Sequence, residues 1–231
     1  MFEDIEYEVA DRTFRGVLAA PSTVAKRAGV LVFHGGSGPT EHERQVVRRL
    51  AALGYTALAP DLFGEVFPDR AHGMHVIGQL VADPERLRQR STAALAYLRT
   101  RGVQHAFAIG HCFGGLAALE LARSGAAIEA AVSFHGALTT RAPARASEVR
   151  ARVLVCTGAD DPFCPPDHRA AFEAEMTAAG VDWQHHIYAS ARHGFTVRDI
   201  DPAKHPGCAY HELAANRAWA AMIALFAEVP G

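Results

Sequence analysis

The chain has 231 residues, of which 49% are hydrophobic and 21% charged, with a formal net charge of −2. That is the make-up of a folded globular protein, and it excludes a disordered or fibrous one. So balanced a charge gives no electrostatic case for nucleic acid or for an anionic membrane surface, and no apolar run approaches the ~20 residues of a membrane helix.

The start, "MFEDIEYEVADR", is acidic and lacks the pattern of a secretory signal. "FEDIEYEVA" and "TFRGVLAA" read as two strands joined by a short turn at Asp11–Arg12. "AGVLVFHGG" (28–36) is a continuous apolar run ending in glycines, the pattern of a strand buried on both faces. In "TEHERQVVRRLAALG", Val46, Val47, Leu50 and Leu53 mark one helical face and Gly54 its stop. "YTALAPDLFG" is the next strand, and the less regular 63–82 region is expected to carry a short helix over the strand ends.

"ERLRQRSTAALAYLRTR" then reads as a helix, "HAFAIG" as a strand and "GGLAALELARSG" as a helix. "IEAAVSFHG", "ARVLVCTG" and "DWQHHIYA" supply three strands, and "PDHRAAFEAEMTAAG" and "AYHELAANRAWAAMIALFAEV" two helices. The arginine groups at 48–49 and 86–90 read as solvated helix faces. Strand–helix alternation without a linker predicts a single α/β domain over 1–231, with a mostly parallel central sheet and helices on both faces. Ligands in such sheets bind beyond the carboxyl ends of the strands. The last helix carries apolar residues that either pack on the sheet or serve a homodimer.

"FAIGHCFGGLAALELA" (107–122) is the most informative stretch. A cysteine stands where a strand turns sharply into a helix, between Gly110 and Gly114, as a nucleophile elbow requires. At a helix N-terminus the unpaired N–H groups and the dipole favour a thiolate at Cys112. His111 would point elsewhere and acts as a spacer. The four cysteines (112, 156, 164 and 208) show neither metal-ligand spacing nor a disulfide framework, so free thiols in a reducing cytoplasm are expected.

A thiol attacking an ester is helped by a base, and the base by an orienting acid, in the chain order nucleophile, acid, histidine. The loop "ADDPFCPP" offers Asp161, with Asp160 as the fallback, and "SARHGFT" offers His193. His185 and His186 sit within a strand, and His205 and His211 follow the loop. For the oxyanion, the N–H of Phe113 is one donor and that of Gly35 or Gly36 in "HGGSG" the other. His34 and His135 are candidates for contacting substrate. No metal or organic cofactor is implied. Two other readings stand beside this one: a binding or regulatory protein with a redox-reactive Cys112, and a serine esterase using Ser37 or Ser190, neither of which lies in an elbow.

With these residues in place, "GHCFGGLAALELAR", "TGADDPFCPP" and "ARHGFT" resemble the dienelactone hydrolase family of the α/β-hydrolase fold. "VLVFHGGSG", "GYTALAPDLFG" and "AAVSFHG" support the resemblance over most of the chain. It implies hydrolysis of a small ester or lactone through a triad of Cys112, Asp161 and His193. Members that act on dienelactone carry a glutamate beside the resting thiol and hold the substrate carboxylate with arginines. At those places this chain has Gly35 and Val197, with Arg198 next to the latter. Glu41 or Glu43 would be the replacement for the glutamate, although "TEHE" is a capping box that gives Glu43 another task.

Overall fold

Alternation within single strands decides the architecture. In the strand 28–33, Leu31 and Phe33 join one core while Val30 and Val32 join the other, and all four are fully buried. The same alternation recurs in 106–109 and 153–156, so the sheet is covered on both sides. A computed structural model describes residues 2–10, 12–22 and 26–229.

The strands are β1 (Phe2–Val9), β2 (Arg12–Ala19), β3 (Ala28–Phe33), β4 (Thr56–Pro60), β5 (His105–His111), β6 (Ala130–Phe134), β7 (Arg152–Gly158) and β8 (Trp183–Tyr188). They form one sheet in the order β1-β2-β4-β3-β5-β6-β7-β8. The β1–β2 and β2–β4 pairs are antiparallel, and every other pairing is parallel. Of the turn expected at Asp11–Arg12, Asp11 lies outside the described residues, and Arg12 opens β2.

Helices α1 (Glu41–Ala52) and α6 (Glu212–Ala227) pack on one face. Helices α2 (Arg70–Ala82), α3 (Pro84–Arg99), α4 (Phe113–Arg123) and α5 (Pro166–Ala178) pack on the other. Thr40 and Glu43 form the expected capping box of α1. The helix in 63–82 is longer than the short one expected, because Asp69 caps the His72 N–H and Val76 and Leu80 pack into the core. Helix α6 turns Ala214, Ala218, Met222, Leu225 and Phe226 onto the sheet and leaves Leu213 exposed. No helix among the described residues is long and apolar enough to cross a membrane.

The 86–90 arginines are not all solvated, which corrects the sequence reading. Arg90 is buried and donates to the carbonyls of Leu62 and Phe63. Arg88 donates to Glu120 and to the Ala142 carbonyl. Glu120 in turn meets Arg123, whose guanidinium also forks onto Glu175 of α5 with contacts of 2.8 Å. This network ties α3, α4 and α5 together on one face of the sheet. Truncating one partner strands the others in low dielectric, so Arg123→Ala is expected to lower unfolding stability by about 3–5 kcal/mol, read from the shift of a urea midpoint.

Candidate active site

The carboxyl end of β5 delivers the elbow. Cys112 has φ 55° and ψ −116°, a conformation that strains a residue bearing a Cβ. The backbone tolerates it because two segments cross where only glycine fits. A Cβ on Gly110 would stand 1.9 Å from the Gly114 oxygen, and one on Gly114 would stand 2.2 Å from the Phe33 oxygen. The Cys112 N–H is held by the Phe134 carbonyl at 3.0 Å and by His135 Nδ1 at 3.2 Å. Its side chain therefore projects over the start of α4 into a cleft of about 680 Å³.

The two later loops meet the elbow there. Asp160 N–H bonds the Ala191 carbonyl at 3.0 Å, joining the loop after β7 to the loop after β8. Asp161 Oδ2 lies 2.9 Å from His193 Nδ1, while its Oδ1 accepts the Phe163 N–H at 2.8 Å. His193 lines the same cleft as Cys112 and acts electrostatically on its thiol. The structure thus brings Cys112, His193 and Asp161 together, and leaves Asp160 at the solvent side of the turn.

Charge is distributed accordingly. Burial pushes the Cys112 thiol up, but the hydrogen bond and charge of His193, with the N–H groups of Phe113 and Gly36, outweigh it and hold the pKa below its ordinary value. Burial would lower His193, yet its bonds to Asp161 and Cys112 raise it to about 10. The two shifts both favour a thiolate facing an imidazolium. The other thiols differ: burial raises Cys156 to about 12 and Cys164 to about 11.

Of the two glycines proposed beside the sulfur, Gly36 is the one whose N–H helps lower the Cys112 pKa. The Gly35 carbonyl instead accepts from His34 Nδ1 and from the Gly38 N–H. His34 as a substrate contact is corrected: it is fully buried, and its Nε2 accepts the Leu62 N–H at 2.9 Å. His135 lines the cleft, but both its nitrogens are occupied, Nδ1 by Cys112 and Nε2 by donation to Thr196 Oγ1 at 2.7 Å. It positions the elbow rather than offering a free polar atom. His111 stacks on Phe134 with ring centroids 5.0 Å apart, as a spacer residue should.

Neither glutamate replaces the carboxylate absent at Gly35. Glu41 pairs with Arg48 at 2.8 Å, and Glu43 Oε2 accepts from the Thr40 N–H and hydroxyl. Arg198 lies over the Tyr210 ring, in a neighbouring cavity rather than in the cleft of Cys112. The 63–82 region lies over the strand ends as expected and lines the cleft with Phe67, Met74 and Ile77 as apolar walls and Arg70 as a cation, while Ile200 and Lys204 are residues that sequence reasoning missed. Ser37 lines it too, in a turn that is not an elbow.

Sheet order, elbow and the order of the three side chains define an α/β hydrolase. The sequence pattern of the dienelactone hydrolase family matches residues 14–230. A Salmonella typhimurium (strain LT2) protein named as a candidate carboxymethylenebutenolidase is 31% identical over 208 residues, covering 84% of this chain and 74% of that one. The solved structure named m3DLH is 39% identical with a TM-score of 0.92, covering 100% of this chain and 99% of that one. A dienelactone hydrolase-like promiscuous phosphotriesterase, P91, from metagenomic libraries is 36% identical with a TM-score of 0.90 and the same coverage. The chain belongs to the dienelactone hydrolase family.

The depressed thiol is directly measurable. Alkylation of Cys112 by iodoacetamide, followed by mass spectrometry across pH, is expected to inflect below the ~8.5 of a free cysteine. Acidification through that point protonates the thiolate and slows labelling. In His193→Ala the imidazolium is gone while burial remains, so the inflection moves upward.

Proposed function

We propose that the protein hydrolyses an ester or lactone of a small, partly apolar acid by acyl transfer through Cys112. The observation that carries this reading is the hydrogen bond from Asp161 to His193 in the cleft that Cys112 lines, with the sulfur carried on a strained elbow at the start of α4.

In the proposed cycle the thiolate attacks the carbonyl carbon, and the electron pair displaced onto oxygen is met by the two N–H groups. Collapse of the tetrahedral adduct breaks the C–O bond. The departing alkoxide takes the proton from His193, and in a lactone the resulting alcohol remains attached to the acyl chain. Neutral His193, oriented by Asp161, then draws a proton from water as the oxygen attacks the thioester. Expulsion of sulfur releases the acid and restores the thiolate–imidazolium pair. The cycle needs no carboxylate beside the sulfur, in keeping with the glycine at position 35, because the imidazolium already holds the thiol ionised. Phe67, Met74 and Ile77 would cover an apolar acyl group, and Arg70 and Lys204 would favour a negative charge at the opening.

Turnover of short p-nitrophenyl esters and enol lactones tests the reading. Cys112→Ala and Asp161→Asn are each expected to lose at least about 10⁴-fold in kcat, with circular dichroism unchanged. An undiminished rate in Cys112→Ala, or labelling of Cys112 with no turnover of any ester or lactone, would overturn it. The first outcome would point to Ser37 or Ser190, the second to a regulatory thiol.

A further inference from the structure

In the wall of the cleft, two histidines carry nitrogens without a hydrogen-bond partner among the described residues. His42 in the first turn of α1 and His111 at the end of β5 meet edge to face, with ring centroids 4.5 Å apart. His42 Nε2 and His111 Nδ1 are buried and have no hydrogen-bond partner among the described residues. His111 is only 4% exposed. A buried polar atom left unpaired costs about 1–3 kcal/mol, so two at one contact call for an occupant. A third group completes the cluster: one nitrogen from each ring and one Glu43 carboxylate oxygen all lie within 4.8 Å of one another.

We propose that His42, Glu43 and His111 form a binding site for a divalent transition-metal ion of the zinc class. Two imidazole nitrogens and one carboxylate oxygen suit such an ion, whereas calcium and magnesium take oxygen ligands. Thr40 already orients the Glu43 carboxylate through its N–H and hydroxyl, the support that metal-binding carboxylates have from their outer partners. The exposed Asp199 adds negative charge near His42. With metal–ligand bonds of about 2.0–2.2 Å, small ring rotations close the triangle, and a fourth position stays open to water.

The placement gives the ion a task separate from acyl transfer. His42 and Glu43 follow the loop that carries Gly36, and His111 immediately precedes Cys112. The ion therefore ties together the two segments that supply the N–H groups around the sulfur. Cys112, His193 and Asp161 are not its ligands.

Metal-free, untagged protein titrated with Zn²⁺ by calorimetry, and with Co²⁺ followed by visible absorption, tests the site. Wild type and Cys112→Ser are expected to bind one equivalent, with a cobalt spectrum free of thiolate charge transfer. His42→Ala, at a half-buried helix position that tolerates truncation, should weaken binding at least about tenfold, since even outer-shell losses have effects of 10–100-fold. Equal titrations of wild type and His42→Ala would overturn the site. So would loss of binding in Cys112→Ser, which would assign the metal to the thiol, or no binding of either ion, which would leave the two nitrogens to a bridging water.

Discussion

A crossing of backbones at the elbow sets what every other part of the site has to accommodate. Gly110 and Gly114 let the turn after β5 close directly onto the end of β3, at separations no side chain could share. That closure forces Cys112 into positive φ and places its sulfur above the first N–H groups of α4. The conformation is not self-supporting. It is held by the bonds from the Cys112 N–H to Phe134 and His135, and by an α4 that is buried along its whole length. Strain at Cys112 is thus offset by burial of the helix behind it.

Electrostatics follow from the same placement. A thiol buried in apolar surroundings stays protonated, as Cys156 and Cys164 do in this molecule. Cys112 is half-buried and shifted the other way, against the effect of its own burial, through His193, the helix start and the glycine loop. A glutamate at position 35 would add a negative charge against that sulfur. The glycine found there brings no such charge.

What could be read from the residues in advance was what local chemistry determines. The glycine spacing of the elbow, the capping box at Thr40 and Glu43, and the order of Cys112, Asp161 and His193 all depend on neighbours within a few positions or on strand order. The failures share one cause, which is that partners far apart in the chain decide a side chain's fate. Arg90 looked solvated until Leu62 and Phe63 offered their carbonyls, and His34 looked like a substrate contact until the Leu62 N–H claimed its ring. The choice between Gly35 and Gly36 turned on a tight turn closed by Gly38, and the meeting of His42 with His111 on the docking of α1 against the end of β5.

The histidines around the sulfur divide their roles by charge. His135 stands between His111 and His193, with ring centroids 5.9 and 5.1 Å away. At such spacing only one ring can comfortably carry a proton's charge in a low dielectric. Asp161 and Cys112 raise the pKa of His193, whereas His193 and His111 lower that of His135. His135 must moreover stay neutral to do its work, because its Nδ1 accepts the Cys112 N–H and only an unprotonated nitrogen can do that. Burial, together with the charge on His193, lowers the pKa of His135 and keeps it so. Holding the elbow and lowering the thiol pKa are therefore coupled: positive charge on His193 favours the thiolate and also disfavours protonation of the ring that fixes the sulfur's backbone.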